Sequence, residues 1–514
     1  MADRPASEIE PLLPSAGKLP WWRQPWVLKW APPLAITFMA GLMRFWNLGR
    51  IHKLIFDETY YVKDAYSLLV RGVEMSWTKD TNPTFEAGDF SELQDTSEYV
   101  VHPPVGKWMI AFGMKLFGPE SSFGWRFSAA LCGTVAVFLI ILIGWRLFGS
   151  RTLGCVAGVL LAVDGQALIL SRVSLLDGFL MFWVLVALWL ILKDREQMDQ
   201  RLEARVRRPY GHGPWGEPLY RNQGFGPGLG MRWYLLGAGV ALGLACGVKW
   251  SGLYFLAVFG LLVVCWDALA RRRVGLKSWL AAAVVRDGFK AFALLVPVAL
   301  VTYILSWTGW FLSDSGHKRH WAEEHPGEGL TFLPKALRSL VEYHHEAFNF
   351  HTTLTSPHDY QSTPYGWLLQ LRTTSMFYES EPTCGAETCS QAITDFGNPI
   401  IWWLALVGLL VVIYGAFIWA DKRAWVILCG YIGGYVPWLF FAERTIFTFY
   451  TVAFVPFVVL ALVYTMGMAI GPPLRAGGRP RAWAITTAGL VVFVAVLVAA
   501  FFWPVWTGLS IPYQ

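Results

Sequence analysis

The sequence predicts an all-α, polytopic membrane protein of about eleven transmembrane helices with two long extracytoplasmic loops. Three observations predict it. Of 514 residues, 55% are hydrophobic and only 15% charged, where a soluble domain carries about 25% charged residues. The apolar residues fall in blocks of about twenty, the length a helix needs to cross roughly 30 Å of hydrocarbon. Lys and Arg lie in short clusters between those blocks, so the net charge of +6 does not point to nucleic acid. An ordinary cytosolic enzyme, a disordered scaffold and a fibrous repeat are excluded together.

In order, the blocks are 27–47, 123–145, 152–170, 174–192, 233–248, 250–268, 288–306, 399–419, 424–441, 446–468 and 483–503. The fifth and sixth require a very short turn near Lys249. Cytoplasmic loops carry an excess of Lys and Arg. With a cytoplasmic N-terminus, the inner segments hold Arg146, Arg151, Arg201 to Arg208, Arg271 to Arg273, Lys422, Arg423 and Arg475 to Arg481. The outer segments, 48–122 and 307–398, are rich in Asp and Glu. Residues 1–26 read as a polar, Pro-rich cytoplasmic tail without a cleavable signal peptide. Residues 504–514 read as an extracytoplasmic tail. The seven Cys lie mostly in the blocks, but Cys384 and Cys389 fall in the second outer loop. On an oxidising face that pair is expected to close a small disulfide; the alternative is two free thiols. No nucleotide-binding fingerprint occurs, so any chemistry belongs where spans meet the outer loops.

Polar groups near a membrane are costly and mark candidate sites. The first outer loop opens with Ile55-Phe56-Asp57-Glu58-Thr59-Tyr60-Tyr61. The acidic pair reads either as a capped helix start running through 60–70 or as a catalytic base held above the bilayer. His102-Pro103-Pro104-Val105-Gly106-Lys107 starts a helix over 105–117, and such an N-terminus flanked by cations favours an anion; a plain surface helix is the competing reading. Arg126, Lys249 and Arg444 stand at the outer ends of spans. Snorkelling explains each alone, but three cations on the face that otherwise avoids them suggest one anionic ligand. Asp177 is a further intramembrane acid with Arg172 as its expected partner. His344, His345, Glu346 and His351 have metal-like spacing, but adjacent histidines on a helix point different ways. A polar helix framing a peptide-binding surface is the preferred reading, and no metal site is predicted. No cofactor is called for, and divalent-metal dependence stays open.

Taken in order, these motifs resemble one family, the protein O-mannosyltransferases of bacterial, actinobacterial type. Phe56-Asp57-Glu58 with His102 to Lys107 resembles the family's first-loop signature, and Arg126 matches its arginine opening the second span. Ser174-Leu175-Leu176-Asp177-Gly178-Phe179-Leu180 and Gly247-Val248-Lys249-Trp250-Ser251-Gly252 resemble two further blocks. Arg444 to Pro456, with Phe447 and Tyr450, resembles the last, while Ser356 to Ser362 and Tyr365-Gly366-Trp367 look like the bacterial second-loop pattern. Eukaryotic members carry a β-trefoil (MIR) domain in that loop; 307–398 shows no such pattern.

The resemblance implies a GT-C-type glycosyltransferase whose catalytic domain is 27–503, in a bacterial cell membrane with an extracytoplasmic site. Its donor would be polyprenyl phosphate mannose and its acceptor a Ser or Thr hydroxyl of an exported protein. Membrane lipids surround it, and a link to the secretion machinery follows only from where the acceptor is met. The residues fit that chemistry. Cleaving an ordinary glycoside needs a second carboxyl group to protonate the leaving oxygen, whereas a phosphate leaves as an anion and needs cations. Asp57 is expected as base, with Glu58 holding the sugar or positioning Asp57. Arg126 and Arg444 are expected on the phosphate, supported by Lys249, His102 and Lys107, with Asp177 and Tyr450 completing the substrate-binding set. A related sugar transferase acting on a lipid or glycan is the nearest alternative. A transporter is more distant, because the halves show no internal symmetry.

Overall fold

The computed structural model describes residues 24–207, 211–212, 218–219, 224–380, 384–471 and 479–512. Most of the N-terminal tail, Arg208, Arg475 and the last two residues lie outside them. Among the described residues, nine helices are long and apolar enough to span a membrane: Pro25–Phe45, Ser122–Phe148, Leu176–Arg207, Gly252–Arg273, Trp279–Ser306, Pro399–Phe417, Lys422–Phe441, Thr448–Ile470 and Ala482–Thr507. Two shorter apolar helices, Arg151–Ala162 and Trp233–Val248, fall at the other two predicted blocks.

Two differences from the hydropathy reading have plain causes. The third block, read as one segment over 152–170, is broken. Arg151–Ala162 ends, and Asp164 caps a separate short helix, Gly165–Ile169, by accepting from the Ala167 amide at 3.0 Å. Buried Asp164 also accepts from the Asn398 amide and the Trp402 indole, each at 3.0 Å, so a polar cap replaces continued helix. The fourth block runs on through Arg207 rather than stopping near 192. Its extension carries buried Asp194, which pairs with Arg232, and Arg195, which pairs with Asp267 at 3.2 Å. Charge ends an apolar run without ending a helix.

The described residues of both long loops include strands that hydropathy does not signal. The first holds the helix Glu58–Arg71, an antiparallel pair Met75–Trp77 with Leu93–Ser97, and the helix Val105–Phe117. The second holds the amphipathic helix Lys335–Thr353 and an antiparallel hairpin, Thr374–Ser380 with Cys389–Asp395. Cys384 and Cys389 are disulfide-bonded beside that hairpin, their Cα atoms 5.8 Å apart. Where the sequence predicts a terminal tail, Ser510–Pro512 pairs antiparallel with Cys389–Asp395. The loops are tied to the bundle by aromatic packing: Trp307 and Trp310, at and just beyond the end of one span, cluster with Leu340 and Tyr343 of the long loop helix. That contact brings the second loop against the first, where Tyr343 Oη donates to the Val100 carbonyl at 2.8 Å.

Candidate active site

Asp57 and Glu58 are neighbours with opposite fates. Phe56 adopts φ +52°, a left-handed conformation uncommon for a bulky residue. Edge-on contacts to His358, Phe447 and Phe449, with ring centroids 5.6–5.8 Å away, hold it there. The turn sends the two carboxylates to different places. Glu58 has no accessible surface. It accepts from Arg126 Nε at 2.9 Å and Nη2 at 2.7 Å, and from the Ser174 and Ile55 amides at 2.8 and 2.9 Å. Arg126 also donates to the Ile51 and Lys53 carbonyls, both at 2.7 Å. The two side chains form a buried ion pair beside the turn before Asp57, which accords with the second of the two roles expected of Glu58, positioning Asp57, and leaves the Arg126 guanidinium engaged by protein groups rather than open to the phosphate expected there.

Asp57 stands at the start of Glu58–Arg71 without capping it. Its carboxylate opens on a cavity of about 400 Å³ whose wall includes Tyr61, His102, His351, Arg444, Phe447 and Tyr450. Enclosure pushes its pKa up to about 6, against the pull of Lys249. Tyr61 Oη lies 3.4 Å from Oδ2.

Lys107 also faces inward, fully buried, hydrogen-bonded to Glu74 and 3.6 Å from Asp64. Its ammonium is therefore committed to these carboxylates and not held free for the anion expected at its helix start. His102 borders both this cavity and a neighbouring one of about 280 Å³. Burial, reinforced by Lys249, His351, Lys107 and Arg444, holds its pKa well below the usual histidine value, so it is a neutral group; its Nδ1 is buried without a partner.

Lys249 lies in the three-residue link between Trp233–Val248 and Gly252–Arg273. It contacts both oxygens of Asp177 at 2.9 and 3.0 Å, and its Nζ is 3.8 Å from the Tyr450 ring centroid. Asp177 thus pairs with Lys249 rather than Arg172, which donates instead to the Met43, Arg44 and Trp46 carbonyls. Tyr450 comes from the 3₁₀ turn Thr448–Phe454.

Arg444 is the cation with donors to spare. Nη2 donates to His351 Nδ1 at 2.9 Å, while Nε is buried without a partner. It lines both cavities and a third of about 470 Å³ bordered by Gln361, Ser362 and Arg372. The metal-like histidines disperse: His344 pairs with Tyr303, His345 lies 3.6 Å from Glu342, and His351 serves Arg444. The described residues hold no cluster of three or more metal-ligating side chains.

Asp57 and His102 of the first loop thus stand near Asp177, Lys249, Arg444 and Tyr450 from three span ends, with His351 the contribution of the second loop, while the charges of Glu58, Lys107 and Arg126 are committed to partners within the protein. Sequence reasoning missed Tyr61 beside Asp57 and the His351–Arg444 contact. For His351 the sequence offered a metal-like spacing with His344, His345 and Glu346 and a place on a polar loop helix, neither of which points to Arg444.

The family model described as dolichyl-phosphate-mannose-protein mannosyltransferase matches residues 101–202, and that of the C-terminal four-span region of protein-O-mannosyltransferase matches 336–512. The polyprenol-phosphate-mannose–protein mannosyltransferase of Mycobacterium tuberculosis is 35% identical over 503 residues, covering 94% of this chain and 90% of that protein. The protein of that name from Corynebacterium glutamicum is 32% identical over 518 residues, covering 98% and 94%. Among solved structures, the Saccharomyces cerevisiae protein O-mannosyltransferase Pmt1-Pmt2 complex bound to the sugar donor aligns with TM-score 0.67 at 14% identity, over 95% of this chain and 91% of that one. The chain belongs to the protein O-mannosyltransferase family and is a multi-pass membrane glycosyltransferase of the GT-C fold.

Proposed function

We propose that this chain transfers mannose from polyprenyl phosphate mannose to Ser or Thr hydroxyls of exported proteins, with Asp57 as base and Arg444 and Lys249 on the phosphate. Residues 27–503 form the catalytic domain, the N-terminus is cytoplasmic and the Asp57 cavity opens extracytoplasmically, as the acidic loops and basic opposite segments favour. The carrying observation is the cavity itself: of the carboxylates that line it, Asp64 lies beside the Lys107 ammonium, whereas Asp57, its pKa raised towards neutrality, shares a wall with the Arg444 guanidinium, which retains unused donors.

The acceptor hydroxyl gives its proton to Asp57 Oδ2 or Oδ1. Its oxygen attacks C1 of the mannose from the face opposite the phosphate. The C1–O bond to phosphate breaks, and the electron pair leaves on polyprenyl phosphate. The outcome is one displacement with inversion. A base works best with a pKa near the operating pH, and the enclosure of Asp57 supplies that. Charge builds on the leaving phosphate, where preorganised cations lower the barrier. Arg444 has donors free for it, and Lys249 adds charge while Asp177 and the Tyr450 ring hold its ammonium in place. Glu58, locked to Arg126, fixes the turn that presents Asp57. Aliphatic and aromatic walls around Leu253, Tyr254, Trp438 and Phe441 suit the first isoprene units.

The test incubates purified protein with radiolabelled polyprenyl phosphate mannose and a Ser/Thr-rich peptide, beside Asp57→Asn. Label should reach the peptide with wild type and fall by a hundredfold or more in the variant. Near-normal transfer by Asp57→Asn would remove the base assignment. Donor binding without peptide labelling, but with transfer to a glycolipid, would move the acceptor to that class.

A further inference from the structure

His351 makes two hydrogen bonds that determine its tautomer. Arg444 can only donate, so Nδ1 must accept at 2.9 Å; Nε2 then carries the hydrogen and donates to the Val101 carbonyl at 3.0 Å. Burial, then the charge of Arg444, pulls the ring down to about 4, in keeping with a neutral acceptor at physiological pH. The ring is wedged between His102, 5.2 Å away by centroid, and Trp250, 5.6 Å away. Its other anchor is also immobilised. Tyr343, about two turns earlier on the same helix, both donates to and accepts from the Val100 backbone, at 2.8 and 3.1 Å. The backbone at Val100 and Val101 is thus gripped twice by the helix Lys335–Thr353, and through His351 that grip reaches a guanidinium from a third part of the chain.

We propose that His351 is a positioning residue that holds the Arg444 guanidinium, by one nitrogen, in the orientation that receives the donor phosphate. The inference rests on the reading of Arg444 as the phosphate-binding cation. A long side chain with a single anchor loses its aim when that anchor goes, because several rotatable bonds must then be ordered on binding. The acceptor on His351 fixes Nη2 and leaves Nε and Nη1 for a ligand. His351 need not touch substrate to do this.

The test measures donor KM and kcat, with thermal unfolding in detergent alongside, for His351→Phe, His351→Asn, Arg444→Ala and the double variant His351→Phe/Arg444→Ala. Phe keeps a ring between His102 and Trp250 but offers no acceptor; Asn returns an oxygen near the Nδ1 position. Loss of a hydrogen bond to a charged group predicts a donor KM about tenfold higher for His351→Phe, with kcat within about twofold and a smaller rise for His351→Asn. If His351 acts through Arg444, the double variant is no worse than Arg444→Ala alone. A donor KM unchanged in His351→Phe, or effects that multiply in the double variant, overturns the positioning role while leaving Arg444 on the phosphate. A donor KM unchanged in Arg444→Ala overturns the phosphate reading itself. Should His351→Phe not accumulate, His351→Gln replaces it, since the longer amide reaches towards Val101 rather than Arg444. Gln above Asn in donor KM is then the expected order, and equality overturns the role.

Discussion

The adjacent carboxylates should respond oppositely to removal of charge. Glu58 is inaccessible and accepts four hydrogen bonds, two from Arg126 and one each from the Ser174 and Ile55 amides. Glu58→Gln leaves Arg126 without a counter-charge and turns an amide NH₂ towards groups that are all donors. Removing one partner of a buried pair costs about 3–5 kcal/mol, a large share of a typical total near 5–15 kcal/mol. Asp57 is the reverse case. Its folded-state pKa is raised to about 6, so the stability associated with its neutral form is present at low pH and is lost as pH rises through that value. At pH 7 the ionised group therefore opposes folding by about 1–3 kcal/mol, and Asp57→Asn removes that opposition. Thermal unfolding in detergent at pH 7 should show Glu58→Gln well below wild type and Asp57→Asn level with it or above it. Transfer activity should fall by a hundredfold or more in Asp57→Asn despite intact protein, and fall in Glu58→Gln in step with the folded fraction. Equal destabilisation by both variants would refute the division into a structural and a working carboxylate.

Activity should depend on Asp57 ionisation, so kcat/KM is expected on a plateau above about pH 6 and to fall about tenfold per unit below it; a pH–rate profile lacking that limb, or one in which it persists in residual Asp57→Asn activity, contradicts the base assignment. Tyr450→Phe keeps the ring beneath Lys249 and should leave donor KM near wild type, while Tyr450→Leu removes the cation–π contact and should raise it several-fold. Replacing Cys384 and Cys389 by Ser opens a small loop beside the hairpin, worth about 2 kcal/mol by chain entropy; the melting temperature should drop slightly with kcat unchanged, and a large loss of kcat would tie that hairpin to the site.

Apolar block length made the fold legible. Every predicted span has a helix at its place, because a stretch long enough to cross the hydrocarbon must satisfy its backbone internally. What hydropathy did not carry was the polar detail: Asp164 interrupting a block by capping a new helix, and the charged continuation to Arg207. The strands in both loops were silent for a related reason. They are short, and Ser510–Pro512 finds its partner more than a hundred residues away in Cys389–Asp395, a pairing that local periodicity does not encode.

Charge in this chain separates by whether its partners are complete, and only three-dimensional structure supplies that. Sequence singled out Arg126, Lys107, Lys249 and Arg444 on the same ground, a cation where cations are rare. The fold completes Arg126 with Glu58 and two carbonyls, and Lys107 with Glu74 and Asp64. A buried pair of that kind is costly to disturb and offers a ligand nothing. Lys249 keeps one carboxylate and an aromatic face, and Arg444 keeps a neutral histidine alone. In the proposed reading an incoming phosphate gains most from the cation that carries no carboxylate partner among the described residues, since Arg444 Nε is already buried and unpaired while the rest of the guanidinium borders the cavities. Asp57 follows the same logic with the sign reversed: among the described residues its carboxylate accepts only the long Tyr61 contact, and its burial raises its pKa, as the proposed base requires. On the proposed function the working groups are those the fold leaves short of partners, and a motif marks where to look without saying which of its charges remain unspent.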